Sequence, residues 1–214
     1  MSGCIKYGTN DMIKTLLLAA ATLIAATGAS ATTIVSSSFD SIANAPGNGG
    51  FRTYAAGTVV DGWTAGANGI EVQASAAGTP FSGRHLIELD TNRNSSMFLN
   101  LQPGTYRVSY FYSPRPGVSA ASNQIDLLFG NRLLDRVTAL GGNATSWSQR
   151  RVDFSTRSAG ALTFAAAGTS DSRGGYLDNI SVSAVPEAST WMMLVVGFAA
   201  IGYGMRRNPR SVAA

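Results

Sequence analysis

The chain has 214 residues, 16 Lys plus Arg against 12 Asp plus Glu, and a formal net charge of +4. The excess lies at the ends: residues 32–185 hold eleven Arg and no Lys against ten acids, with no basic run interleaved with aromatics, which excludes a nucleic-acid partner. The single cysteine, Cys4, precedes that body, so neither a disulfide nor a Cys/His zinc cluster can hold it together, and a domain of about 150 residues must stand on its hydrophobic core.

In chain order, the first element is an address. Met12-Ile13-Lys14 leads an apolar run over residues 16–26 and then Ala29-Ser30-Ala31. A basic start, a short hydrophobic helix and a small-x-small site make a secretory signal peptide over residues 1–31, cleaved before Thr32. Met1 and Met12 both serve as possible starts.

The body, residues 32–184, reads as all-β. Short alternating apolar bursts are separated by Gly, Asn, Pro and Ser. Strands are expected over residues 34–39, 69–73, 85–89 and 96–101. After the turn Gln102-Pro103-Gly104 comes 105–112, with Tyr106, Val108, Tyr110 and Tyr112 on one face. Residues 124–129 and 132–137 flank Gly130-Asn131, a two-residue hairpin signal. Residues 147–154 (Trp147 in the core), 161–166 and 176–183 follow. About ten strands at this spacing make a β-sandwich or jelly roll. In such a sandwich the first and last strands pair, placing Asp40 beside Asp178.

The last segment, residues 185–210, runs Val185-Pro186-Glu187-Ala188-Ser189-Thr190-Trp191, then apolar to Met205, then Arg206-Arg207. Residues 191–205 as a helix span about 22 Å, short for a bilayer core of about 30 Å. A plain hydrophobic anchor with a basic stop is one reading. The segment also resembles the PEP-CTERM sorting signal, in the variant with Trp after the Pro-Glu-Pro. The matching residues are Pro186, Glu187, Trp191, the Met-Met-Leu start and the pair Arg206 and Arg207; Ala188 stands where the family has its second Pro. That resemblance implies a transmembrane helix before processing and cleavage by an exosortase-type membrane protease. It also implies a Gram-negative producer of extracellular polysaccharide, with the product exported across the inner membrane to the cell surface or matrix.

The body carries a second resemblance. Phe39-Asp40, Gly62-Trp63 and Gly175-Tyr176-Leu177-Asp178-Asn179-Ile180-Ser181-Val182 look like the start, middle and closing strand of the galactose-binding-like jelly roll. The family implies a structural Ca²⁺ near the paired ends, carried onto Asp40 and Asp178. The alternative is that both acids accept backbone N–H bonds.

Catalysis has little to work with. His85 is the only histidine, no Gly-x-Ser-x-Gly elbow is present, and Glu88 with Asp90 reads equally as a solvated strand face or as a carboxyl pair. Sugar binding needs aromatic faces and planar hydrogen-bonding groups in loops. Trp63, Arg93, Tyr112, Arg115 and Asp171 are the candidates, each with a structural alternative: Trp63 as a plug, Arg115 paired to Asp171. The expected function is a non-catalytic exported surface or exopolysaccharide-matrix protein that contacts carbohydrate. The alternatives are an adhesion protein with a protein partner and a polysaccharide hydrolase.

Overall fold

The computed structural model describes residues 31–186 and 188–207. All but the last residue of the expected signal peptide, and Glu187 of the sorting motif, lie outside the described residues. Residues 31–185 form one compact unit.

Thirteen strands are described in that unit: β1 (Thr32–Ser37), β2 (Phe51–Tyr54), β3 (Val59–Val60), β4 (Trp63–Ala65), β5 (Ile70–Gln73), β6 (Leu86–Glu88), β7 (Ser96–Leu101), β8 (Gly104–Ser113), β9 (Ile125–Phe129), β10 (Arg132–Val137), β11 (Ser148–Thr156), β12 (Gly160–Ala166) and β13 (Tyr176–Ala184). They build two antiparallel sheets. The first runs β11-β8-β13-β6-β5-β2, with β1 also on β13; the second runs β10-β9-β12-β7-β4-β3. Strand β13 is flanked by β8 on one side. On the other it meets β6 at its start (Tyr176 opposite Glu88) and β1 at its end (Thr32 opposite Ala184). First and last strands pair, as the jelly-roll reading requires. The class of protein so defined is a two-sheet β-sandwich.

Alternation fixes which side of each strand is buried. Tyr106, Val108, Tyr110 and Tyr112 of β8 all face the core between the sheets. A buried tyrosine needs a partner for its hydroxyl. Tyr106 donates to the Gln102 carbonyl at 2.6 Å, Tyr110 to Asp135 Oδ2 at 2.9 Å and Tyr112 to the Asn123 carbonyl at 2.9 Å. Trp63 and Tyr110 both meet Phe164 edge-on, at 5.4 and 4.9 Å between centroids.

The hairpin at Gly130-Asn131 joins β9 to β10 as expected, with Phe129 opposite Arg132. Strands β2, β3 and β4 were not expected. They are short, and β3–β4 is a hairpin about Asp61-Gly62, both with positive φ (46° and 89°), the left-handed pair that a type I′ turn demands.

After the sandwich, helix α1 (Ala188–Arg207) is described by itself. Leu194, Val195, Phe198 and Ile201 are exposed on it. Among the described residues no helix is long and apolar enough to cross a membrane; α1 carries the apolar run of the expected segment. Its apolar run is a few residues short of a bilayer core and is interrupted by Gly197, Gly202 and Gly204.

Candidate ligand-binding face

Residues directly opposite in an antiparallel pair share a face. With the tyrosines of β8 inward, Arg107, Ser109, Phe111 and Ser113 point away from the core. So do their partners Tyr176, Asp178, Ser181 and Ser183 on β13, Glu88 on β6 and, one strand further, Glu71 and Gln73 on β5. This outer face of the first sheet carries most of the chemistry of the domain.

Residues 74–85, between β5 and β6, cross that face and are held by side chains from below. Asp178 Oδ2 accepts the N–H groups of Phe81 (2.9 Å) and Ser82 (3.2 Å), while its Oδ1 accepts that of Asn179 (2.6 Å). Asp40 Oδ1 accepts the N–H groups of Arg84 (2.7 Å) and His85 (3.2 Å) and faces His85 Nδ1 at 3.3 Å. The Thr79 carbonyl accepts from Trp147 Nε1 at 3.0 Å and Thr145 Oγ1 at 3.1 Å. The crossing runs so close that a Cβ on Gly78 would lie 2.5 Å from the Tyr176 ring.

On one side of this crossing is an aromatic group. Phe81 stacks on Phe111 with centroids 3.6 Å apart and meets Trp147 edge-on at 6.2 Å. Phe81 is 41% exposed and Trp147 is half-buried, so Trp147 belongs to this outer face and not to the core. Beyond it, Ser109, Ser181 and Ser183 lie beside Arg107, whose guanidinium grips both oxygens of Asp153 (2.8 and 3.2 Å).

On the other side is a buried polar cluster. Glu88 is 1% exposed. Arg115 Nη1 lies 2.7 and 2.8 Å from its two oxygens, and the Gly174 N–H donates to Oε1 at 2.6 Å. Gln73 Nε2 donates to Glu88 Oε2 and, at 2.8 Å, to Glu71 Oε1. Burial pushes the Glu88 carboxyl up to about 8 against the pull of Arg115 and Gly174, and Glu71 adds repulsion. Asp178 is raised to about 6, first by burial, with the loop N–H groups opposing and Asp40 adding repulsion.

The expected binding residues divide. Arg115 reaches the cluster, pairing with Glu88 and not with Asp171, and also donates to the Ser172 carbonyl at 3.3 Å. Asp171 and exposed Arg93 sit in neighbouring loops at the same end. There Asp90 Oδ2 accepts the N–H groups of Asp171 (3.0 Å) and Arg173 (3.1 Å), and Asn94 bonds Ser170 and Gly168. Trp63 and Tyr112 are corrected: both are in the core, Trp63 fully buried with Nε1 donating to Ser37 Oγ at 3.1 Å, and neither offers a ring to a ligand.

Asp40 and Asp178 converge on residues 74–85 closely enough for Asp40 to raise the Asp178 pKa, but they do not fit a calcium ion. Ca²⁺ needs six to eight oxygens. What points at these carboxylates is a set of backbone N–H groups, positive ends that oppose a cation. Among the described residues no group of three or more His, Cys, Asp or Glu could hold a metal.

Three participants were missed. Glu71 and Gln73 become members of the cluster only through the β5–β6 register, and Phe81 only through its stacking on Phe111. Their one sequence signal was that Glu71 and Glu88 are the only two glutamates of residues 32–185.

No protein-family model matches the chain, and no curated protein matches it significantly. Solved structures of similar architecture include a Stig cyclase from Fischerella sp. TAU, with 13% identity and a TM-score of 0.48, covering 73% of this chain and 99% of that one. The K1 cleaved adhesin domain of Lys-gingipain from Porphyromonas gingivalis has 18% identity and a TM-score of 0.42, covering 72% and 99%. A family 35 carbohydrate-binding module from Clostridium thermocellum has 16% identity and a TM-score of 0.41, covering 57% and 93%. At these identities and scores the likeness is one of sandwich architecture alone.

Proposed function

We propose that this chain is an exported surface or exopolysaccharide-matrix protein that contacts polysaccharide through the outer face of its first sheet and does no chemistry on it. The observation that carries this reading is the Phe81–Phe111–Trp147 group, partly open to solvent and bordered by serine hydroxyls and the Arg107–Asp153 pair. Aromatic faces stack on the C–H faces of sugar rings, and fixed polar groups orient the hydroxyls.

The absence of chemistry is argued from Glu88. It stands opposite Glu71, the spacing of a carboxyl pair, yet Arg115, Gly174 and Gln73 already occupy both its oxygens. A carboxyl whose two oxygens are both engaged in this way is a poor nucleophile toward a glycosidic bond.

Export by the signal peptide of residues 1–31 and recognition of Pro186, Glu187, Trp191, Arg206 and Arg207 by an exosortase-type protease complete the reading. The sorting part is supported by the motif.

Binding of the full chain to exopolysaccharide from a polysaccharide-producing strain tests the central claim. Saturable binding is expected, weakened at least tenfold in Phe81→Ala and in Trp147→Ala. Absence of saturable binding, or affinity unchanged in both folded variants, sinks it.

A further inference from the structure

Charge is unevenly spread over the domain. Residues 104–113 and 125–166, which hold strands β8 to β12, carry six Arg against three Asp. The rest of residues 32–185 carries five Arg against seven acids. A body that is almost neutral as a whole therefore has a basic side. A polyanion is drawn to that side and repelled from the acidic remainder.

The pairing on the basic side shows where the excess charge lies. Each of the three Asp is held through both oxygens by one Arg: Asp126 by Arg136 (2.7 and 2.6 Å), Asp135 by Arg150 (3.0 and 2.7 Å) and Asp153 by Arg107 (2.8 and 3.2 Å). These three pairs cancel, and Arg132, Arg151 and Arg157 are left over. Of the three, Arg151 stands on the ligand face. On β11 it is opposite Ser109, while Gln149 is opposite Phe111 and Asp153 opposite Arg107. Arg107, Ser109 and Phe111 point away from the core, so Gln149 and Arg151 do too, and both are exposed. Arg151 Nη2 comes only to 3.5 Å from Asp153 Oδ2, an oxygen that Arg107 already holds. An exposed pair of this kind contributes little, so an arriving anion competes with it.

The neighbours say what carries the anion. Phe111 and Arg151 are diagonal partners across β8 and β11, about 7–8 Å apart, a separation that a long side chain bridges. An acidic group on a sugar ring that rests on the Phe81–Phe111–Trp147 group is thus within reach of the guanidinium. A uronic acid bears a planar carboxylate on the ring itself. The guanidinium fork matches that plane with two parallel N–H bonds, and the Gln149 amide adds a further donor beside it.

We infer that Arg151, with Gln149 beside it, receives the carboxylate of a uronic acid whose ring rests on the Phe81–Phe111–Trp147 group, so that the polysaccharide met by this face is an acidic one. This rests on the polysaccharide-contacting reading above and names the substrate class of that same face.

The test is calorimetric titration of the full chain, at neutral pH and low salt, with galacturonic acid oligomers and glucuronic acid oligomers. The methyl esters of both, which keep the ring and lose the charge, and a sulfated galactose oligomer of equal length are the comparisons. At least one uronate is expected to bind saturably, about fivefold more tightly than its ester, the size of effect that an exposed pair of good geometry supplies. Arg151→Gln should remove the preference for acid over ester and leave ester binding as it was; the side chain is exposed, so the fold is kept. Equal affinity for acid and ester, a preference that survives Arg151→Gln, or binding of neither uronate overturns the inference. A sulfated oligomer that binds as tightly as the uronates overturns it too, since the basic side then acts as a plain ion exchanger. Exopolysaccharide binding that depends on Phe81 but is not displaced by uronate oligomers overturns the inference and leaves the wider reading standing.

Discussion

Arg115 is the residue on which the polar side of the outer face turns. Its side chain is 20% exposed while Glu88 beneath it is 1% exposed, so Arg115→Ala strands a carboxyl where water cannot reach it. A loss of about 1–3 kcal/mol in denaturant unfolding is expected, the usual penalty for leaving a buried polar group without its partner. Trp63→Ala should cost more, ~3–5 kcal/mol, for a different reason: it empties a core volume packed against Phe164. The carboxyls also set a pH dependence. Asp178 lies at about 6 when folded against 3.8 when free, so the folded state holds the extra proton between those values. Its contribution is complete below about pH 4 and lost as pH rises through about 6; that of Glu88 is lost as pH rises through about 8. Melting temperature should therefore fall from pH 5 to pH 8.5, and Asp178→Asn should flatten the lower part of that slope. At this scale the sequence pointed to Arg115, Asp171, Asp40 and Asp178 as residues with work to do. It could not say what work, because Arg115 meets Glu88 and Asp178 meets the Phe81 N–H only through sheet register and a long loop.

Among the elements, residues 74–85 are the least regular and the most consequential. Their path over the first sheet depends on glycine at two points. Gly78 lies against the Tyr176 ring, and Gly83, with φ at +63°, lies against the Asp40 carboxylate. Gly78→Val should push the segment off the sheet, lower the melting temperature by several degrees and open Phe111 to solvent, which increased binding of a hydrophobic dye would report. Long strands were legible in the sequence: β8 announces itself by four inward residues in strict alternation, and β9–β10 by its Gly-Asn turn. The strands β2 to β4 were not. Each has two to four residues, too few for a period to register, and the Asp61-Gly62 turn that joins β3 to β4 was the available clue.

The whole domain is a sandwich that holds without covalent staples. Residues 32–185 contain no cysteine, and the oxygen and nitrogen groups around Asp40 and Asp178 are arranged for hydrogen bonds. Thermal unfolding should be the same with and without reductant, and the same after exhaustive chelation of calcium; a fall in melting temperature on chelation would restore a cation to that loop. The sandwich itself was legible from patterning and turn residues, since period-2 bursts over 150 residues admit few other architectures. The ligand face was not, because it consists of the outward half of each strand, which patterning treats as merely polar.

The pairing of Thr32 with Ala184 has a consequence for reach. The chain comes into the domain and leaves it at one point, at the far end of β13 from Tyr176. Nine residues of extended strand put about 26 Å between that point and the Glu88–Arg115 cluster. The acid cluster and the loops around Arg93 and Asp171 therefore lie at the end of the sandwich away from the point where the chain enters and leaves it.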